Sequence, residues 1–414
     1  MDLAWISIAA LVVAVAVSCT TAVNVGTLSL VLAWIIGVYL GDMSVDTVLE
    51  GFPTALFVTL VGVTMLFSMA ESNGTLARVT GQAVRLCRGQ VGLLPMMFFG
   101  LGLAIATIGP GGTPTSALIA PPAMAVAFRA GIPAFLMAIM AGNGALAGTL
   151  SPFAPTGIVS SGVMQRIGLP GFEWQTYGYN VLAHGVVGFG GFLLLGGWRL
   201  FAQRTTAVQD ADDQNASFEA KHWLTLGVIV ALIVAVAGFG FHVGMTALAG
   251  AALLVLFRGV DEKAAFQRMP WGVIMMVTGV TVLISMMERT KGLELFTIGL
   301  ANVATKESVA PIVAFGTGVV SVYSSTSGVV LPAFLPTVPG LAARIGGGLE
   351  PLPLAWSMNI GASLVDLSSL STVGALFLAA APPGTDTRSL FNALLLWGLS
   401  MTVVGAALCW VLFR

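Results

Sequence analysis

LPMMFFGLGLAIATIGPGGTPTSALIAPPAMAVAFRAGIPAFLMAIMAGNGALAGTLSPFAPTGIV, residues 94 to 159, is the stretch that decides how this chain must fold. Its flanks are apolar enough for lipid, yet two places inside it break a plain spanning helix. The first is Gly109-Pro110-Gly111-Gly112-Thr113-Pro114-Thr115. The second is Ser151-Pro152-Phe153-Ala154-Pro155-Thr156-Gly157, which follows Asn143. Irregular backbone at membrane depth is tolerated only where it is buried in protein or lines a wet cavity. Two such breaks, rich in hydroxyls and free of charge, point to a binding site for a small polar solute.

The rest of the composition sets the environment. The 414-residue chain is 57% hydrophobic and only 8% charged, with a mean hydropathy of +0.95. Soluble domains carry about 25% charged residues, so this is an integral membrane protein. Long continuous apolar runs call for helices and not for the alternating pattern of a barrel. A net charge of −1 and the lack of basic clusters argue against a polyanion-binding surface. Cys19, Cys87 and Cys409 sit in or beside apolar runs without CxxC spacing, so they are expected as small buried residues with no disulfide or metal role. Met1 to Val23 lacks a basic leader segment, its one early charge being Asp2, and reads as the first transmembrane helix.

In order, helices are expected over about 3–22, 25–41 and 53–71, with the acidic loop Asp42 to Glu50 between the last two. Residues 75–90 carry Arg78, Arg85 and Arg88 at a spacing that suits an amphipathic interfacial helix. The arms of a hairpin follow over about 92–108 and 113–128, then a broken helix over 133–164 and a full helix over 178–200. Residues 203–221 form the one long polar segment, a linker between halves.

After the linker the pattern begins again. Pro53 to Glu71 aligns without gaps with Pro270 to Glu288, an offset of 217, sharing the proline, Gly62/Gly279, Thr64/Thr281, Ser68/Ser285 and the final glutamate. Leu150-Ser151 and Gly157 match Leu367-Ser368 and Gly374 at the same offset, and Asn143 falls against Asn359 one position off it. The second hairpin turns at Ser324-Ser325-Thr326-Ser327-Gly328. Five spanning helices and one hairpin per half make an odd number of crossings, so the second half must enter the membrane upside down. The expected fold is an all-α polytopic membrane protein of two inverted repeats, each with five transmembrane helices and one re-entrant hairpin. Placing the N-terminus outside leaves only Arg166, Arg289, Lys291, Lys306, Arg344 and Arg414 of the 17 basic residues on that side. The positive-inside rule then puts both termini outside.

Breaking a helix at mid-membrane exposes amides at one new end and carbonyls at the other. The amide ends suit a carboxylate and the carbonyl ends a cation. Hydroxyls and Asn amides complete either kind of site. The first half offers Gly111, Gly112, Thr113, Thr115, Asn143, Ser151 and Thr156. The second offers Ser324, Ser325, Thr326, Asn359, Ser368, Ser369, Ser371 and Thr372. The competing reading, that small and hydroxyl residues only let helices pack closely, holds for many single positions but not for a set placed at two matching breaks. Within that set, substrate contacts are expected from Gly112, Thr113, Thr115, Asn143, Ser151, Thr156, Ser325, Thr326, Asn359, Ser369 and Thr372. Cation contacts are expected from Gly111, Thr113, Asn143, Ser324, Thr326, Asn359, Asp366 and Ser368. Asp366 is the one acid inside this material, costly at such depth and therefore a candidate sodium ligand or proton carrier, against a purely structural hydrogen-bonding role. His184 is expected as a packing histidine. Glu71 and Glu288 close equivalent helices and are expected to be solvated or paired.

These residues resemble a known family. The hairpin, broken helix and duplicated layout are similar to the ion-transporter superfamily that includes the divalent-anion/sodium symporters. Within it, AGNGALAGTLSPFAPTGIV and GPGGTPTSALIAPPA look most like the MatC-type malonate and dicarboxylate carriers, and the resemblance covers essentially the whole chain. In the symporters each hairpin tip bears a Ser-Asn-Thr motif that helps bind sodium and a substrate carboxylate. The matching positions here are Gly111-Gly112-Thr113 and Ser324-Ser325-Thr326, neither of which keeps an Asn, leaving Asn143 and Asn359 to supply amides. The resemblance implies an elevator-type homodimer in a bacterial inner membrane. Residues 1–90 and 222–306 would be scaffold, residues 91–200 and 307–414 the moving transport domain, and 201–221 the linker. It implies import of malonate- or succinate-like dicarboxylates with sodium ions as coupling ions, no other cofactor and no enzymatic chemistry.

Other readings predict other residues. A cation/proton antiporter or oxyanion exporter on the same scaffold would lean on more intramembrane carboxylates than Asp366. A proton-coupled dicarboxylate carrier would differ in the ion alone. An intramembrane enzyme needs a nucleophile–base pair or a metal cluster, and this chain has three scattered His and three scattered Cys. A channel has no use for two matching occluding hairpins.

Overall fold

The computed structural model describes residues 3–21, 23–85, 87, 90–204, 218–257, 260–302, 304–323, 325–382 and 384–413. Arg88, Arg258, Ser324, Arg414, the side chains of Cys19 and Arg85, and most of the polar linker (205–217) lie outside the described part. Helices dominate, and no strand occurs among the described residues. Among the described residues, five segments are long and apolar enough to cross a membrane: Thr54–Ser72, Trp271–Arg289, Thr326–Ile345, Pro351–Ala379 and Thr387–Leu412. Shorter apolar helices pack among them.

The first half runs α1 (Leu3–Thr20), α2 (Val25–Trp34, continued by a π turn over Ile35–Leu40), α3 (Val45–Leu49), α4 (Thr54–Ser72) and α5 (Thr75–Arg85). The hairpin arms follow as α6 (Leu93–Ile108) and α7 (Gly112–Ala130), then α8 (Ala134–Ala147), α9 (Pro155–Arg166) and α10 (Glu173–Leu194). The second half runs α11 (Ala220–Phe239), α12 (Val243–Leu256), α13 (Glu262–Arg268), α14 (Trp271–Arg289), α15 (Gly292–Ala301) and α16 (Val309–Tyr323). Next come a π turn (Thr326–Val330), α17 (Leu331–Phe334), a 3-10 turn (Leu335–Thr337), α18 (Val338–Ile345), α19 (Pro351–Leu364), α20 (Thr372–Ala379) and α21 (Thr387–Leu412).

α10 differs from the sequence expectation at both ends. It begins at Glu173, five residues before the expected start, and ends at Leu194 because Gly196 takes a left-handed conformation (φ 79°). The second arm of the second hairpin is segmented, with prolines at the start of α17, of the 3-10 turn and of α18, where each missing N–H costs no helical bond. Together these segments form a 20-residue apolar run.

The halves match in backbone detail. α4 and α14 start after prolines of like geometry, Pro53 (φ −82°, ψ 73°) and Pro270 (φ −78°, ψ 61°). α2 crosses α14 where Gly26 meets Gly279, and α12 crosses α4 where Gly244 meets Gly62. A methyl group at Gly26 would lie 2.0 Å from the Met275 carbonyl oxygen, and one at Gly62 2.3 Å from that of Gly244. Each half therefore lends its second helix to the other, an exchange that close backbone contact between small residues permits.

Apolar packing falls into several cores. One joins α6, α7 and α8 to α20 and α21 through Phe98, Ile119, Met140, Phe377 and Leu394. Others centre on α4 with α12 and α14, and on α1 and α2 with α14. Ion pairs stay at helix ends, as with Arg289–Glu50 (2.9 Å), Arg344–Glu294 (3.0 Å) and Arg78–Glu219 (3.1 Å). Glu71 and Glu288 are exposed at theirs. Cys87 and Cys409 are free and buried.

Candidate functional site

Both hairpin tips are built for close turns, by different means. α6 stops at Gly109 (φ 153°), and α7 starts from Gly111 (φ 78°), a backbone state that side chains rarely adopt. At the other tip Ser325 caps the π turn, its Oγ accepting from the Gly328 amide at 3.0 Å. By cap position Gly111 therefore corresponds to Ser325, one residue off the expected register.

The two breaks are also alike. Between α8 and α9, Ser151 Oγ donates to the Thr107 carbonyl (2.6 Å) and accepts from the Phe153 amide (3.2 Å), tying the break to the end of α6. Between α19 and α20, Ser371 Oγ donates to the Asp366 carbonyl oxygen and caps the Gly374 amide at 3.4 Å. Gly157 and Gly374 are packed onto the preceding turn, where a methyl group would lie 1.9 Å from the Ser151 oxygen and 2.0 Å from the Ser368 oxygen.

Tips and breaks converge on one cavity of about 380 Å³. The first half lines it with Pro110, Gly111, Gly112, Thr113, Thr149, Pro155 and Thr156, and the second with Ser325, Thr326, Ser327, Asp366, Ser371 and Thr372. Val15, Val25, Pro270, Val273 and Met276 complete the wall from outside the hairpins and breaks. The first residues of α7, of α9, of α20 and of the run from Thr326 all face it. Four helical amide ends thus concentrate positive partial charge on one space, which suits an anion. No Lys, Arg or His lines it among the described residues.

Among the described residues Asp366 supplies the one carboxylate of the lining. Thr326 Oγ1 lies 2.7 and 2.8 Å from its two oxygens, and Ser321 Oγ lies 2.6 Å from Thr326 Oγ1 and 3.5 Å from Asp366 Oδ1. The Ala362 carbonyl is 3.3 Å from the same threonine oxygen. Carboxylate, hydroxyl and carbonyl oxygens in one cluster are the donor set of a hard cation.

Of the residues expected from the sequence, Gly111, Gly112, Thr113, Thr156, Ser325, Thr326, Asp366 and Thr372 share this cavity. Thr115 does not; it is fully buried and lines a separate space of about 70 Å³ with Ser68, Glu71 and Arg268. Asn143 is buried in the packing, donating to the Ile139 carbonyl (2.9 Å) and meeting His184 Nδ1 with its Oδ1 (2.9 Å). That pairing requires a proton on Nδ1 of His184. Asn359 likewise donates to the Ala355 carbonyl and accepts from Ser160 Oγ (2.7 Å). Ser151, Ser368 and Ser369 are buried away from the cavity wall. Ser324 lies outside the described residues.

Thr149 and Ser327 line the cavity without having been expected as contacts, and Ser371, one of the hydroxyls offered by the second break, lines it too. Thr176 and Asn180 also escaped the sequence, whereas His184 was expected as a packing histidine. Thr176, Asn180 and His184 recur every four residues, forming one polar stripe on α10. Thr176 accepts from the Trp356 ring nitrogen (3.1 Å), Asn180 reaches both interrupted helices, and His184 meets Asn143. The four-residue spacing was the available signal.

A helical chain with several segments long and apolar enough to cross a membrane, among the described residues, is a multi-pass membrane protein, and here its hairpin tips and helix breaks meet at one cavity. Residues 1–149 match the family model described as the N-terminus of the dicarboxylate carrier protein MatC. The matched span is about a third of the chain. The fold is similar to the crystal structure of the Alcanivorax borkumensis YdaH transporter, a structure described as revealing an unusual topology. The match has a TM-score of 0.62 and covers 91% of this chain and 88% of that one. Identity is 16%, so the likeness is one of fold. No curated protein matches the chain in sequence.

Proposed function

We propose that this protein is a secondary active transporter that imports small dicarboxylates of malonate or succinate size, driven by a sodium gradient. The observation that carries the reading is the cavity, which joins four helical amide ends to a single carboxylate and contains no basic lining residue among those described. The match of residues 1–149 to the dicarboxylate carrier model supports the substrate class.

The physical argument for a coupled cation is one of magnitude. A helix end contributes about 0.3–1 kcal/mol to a nearby charge and up to about 2 when partly buried. Removing two carboxylates from water costs several kcal/mol each, and Asp366 adds a third negative group. A cation held by Asp366, Thr326 and Ser321 offsets that charge. The substrate carboxylates then take the amide ends of α7, α9 and α20, with hydroxyls from Thr113, Thr156 and Thr372.

In this reading the halves are inverted repeats, supported by the matching caps of α4 and α14 and the exchanged crossings of α2 and α12. Residues 1–90 and 222–306 act as scaffold, against which residues 91–200 and 307–414 move as an elevator in a homodimer. The packing of α6, α7 and α8 with α20 and α21 into a shared core supports that division. The membrane is a bacterial inner membrane, with both termini outside.

The test is uptake of labelled malonate and succinate by proteoliposomes under separate sodium and pH gradients. Uptake driven by inward sodium is expected. Uptake driven by the pH gradient alone would assign coupling to a proton, and no dicarboxylate uptake under either gradient would reject the reading.

A further inference from the structure

The two breaks match in backbone and differ in what faces their carbonyl ends. Asn180 on α10 is fully buried. Its Nδ2 donates to the carbonyls of Leu146 and Ala147, at 3.0 Å each, in the last turn of α8. Its Oδ1 accepts from Ser363 Oγ at 2.7 Å, so the side chain has a partner for every hydrogen bond it needs in this position. Other oxygens of the first break are engaged as well. The Ala145 carbonyl accepts from Thr149 Oγ1, that of Gly148 from the Ser151 amide, and that of Thr149 from the Gly157 amide.

Among the described residues the second half has no counterpart to this amide. At the repeat offset, Leu146 and Ala147 become Ser363 and Leu364, and Asn180 becomes Trp397. The Trp397 ring nitrogen is buried without a hydrogen-bond partner among the described residues. What faces the cavity there is the Asp366 carboxylate, with Thr326 and Ser321 clustered on it.

A helical carbonyl end attracts positive charge. The Asn180 amide supplies a fixed partial positive charge to such an end in the first half. We propose that Asn180 takes the place of a cation at the first break, so that each chain holds a single exchangeable cation, at Thr326 and Asp366 in the second half. The inference rests on the cation-coupled reading above and adds the stoichiometry and location of the ion.

The experiment counts radioactive sodium bound per purified full-length chain by equilibrium dialysis in saturating succinate. One ion per wild-type chain is expected, with binding lost in Asp366→Asn. Two ions per wild-type chain would overturn the single-site inference while leaving cation coupling intact. No bound sodium would instead reject coupling by this ion. Asn180→Ala uncovers the Leu146 and Ala147 carbonyls, and its count is expected to rise toward two, an effect that a merely structural asparagine would not produce. A count of one in a monodisperse Asn180→Ala protein overturns the assignment to Asn180. If that variant does not fold, the wild-type count decides the single site, and Asn180→Asp, which keeps the acceptor for Ser363 and loses the donors to α8, replaces it.

Discussion

Thr326 Oγ1 sits 2.7 and 2.8 Å from the two carboxylate oxygens of Asp366, which brings a hairpin tip and a helix break of the second half into direct contact. One hydroxyl proton serves one acceptor at a time, so this pairing leaves oxygen lone pairs directed at the same space. Thr326→Val keeps the volume and removes the hydroxyl. Losing one hydrogen bond or ligand oxygen at a charged group costs about 1.5–3 kcal/mol. The sodium concentration for half-maximal uptake should therefore rise by roughly ten- to a hundredfold, while Thr326→Ser stays near wild type. Equal sodium dependence in folded Thr326→Val would remove this threonine from the cation site.

Thr113 and Thr115 stand two residues apart on α7 and should behave differently. Thr113 is exposed on the central cavity, whereas the Thr115 hydroxyl is fully buried and has no hydrogen-bond partner among the described residues. Thr113→Val is expected to raise the KM for dicarboxylate by about tenfold or more, through loss of a hydrogen bond to a charged ligand. Thr115→Val should leave KM unchanged and keep or raise the melting temperature, because removing an unpaired buried hydroxyl costs little. The reverse order in uptake assays would mean that substrate enters the smaller space lined by Arg268 and Glu71.

The glycines of the two breaks should be equally intolerant. Gly157→Ala and Gly374→Ala each push a methyl group to about 2 Å from a backbone oxygen, which only movement of the break can relieve. Overpacking of this kind costs about 1–3 kcal/mol. Both variants should lose melting temperature and transport together. Gly178→Ala is the control, since nothing lies within 4 Å of the added methyl.

Orientation is testable with two exposed positions. Asp46 precedes α4 and Gln267 precedes α14, and the charge distribution places them on opposite sides of the membrane. Asp46→Cys should react with an impermeant thiol reagent from outside the cell and Gln267→Cys only after the membrane is opened. Labelling with the sides exchanged would invert the topology, and labelling of both from outside would break the inverted-repeat arrangement.

Much of this architecture was legible because glycine, proline and serine clusters stand out within apolar runs. The match of Pro53–Glu71 with Pro270–Glu288 gave the duplication, and the backbone geometry of Pro53 and Pro270 follows it. The tip register was harder to read, because Gly111 begins its arm through a positive φ and Ser325 begins the other through a side-chain cap. Equal positions thus carry unlike letters. Asn143 and Asn359 show a different limit. A polar residue in an apolar helix announces a partner without saying which neighbour supplies it, and here His184 and Ser160 do. Asn180 could be read as part of a four-residue stripe, but its contacts to Leu146, Ala147 and Ser363 depend on how three helices pack.

The central claim is that a dianion is held without an arginine by helix ends and a co-bound cation, and binding thermodynamics test it most directly. Malonate or succinate is titrated into the purified protein at constant ionic strength while sodium is exchanged for choline. Affinity should strengthen steeply as sodium rises, and sodium affinity should increase by the same factor when dicarboxylate is present, as linkage requires. Undiminished dicarboxylate binding in choline, with dependence on pH alone, would contradict the account.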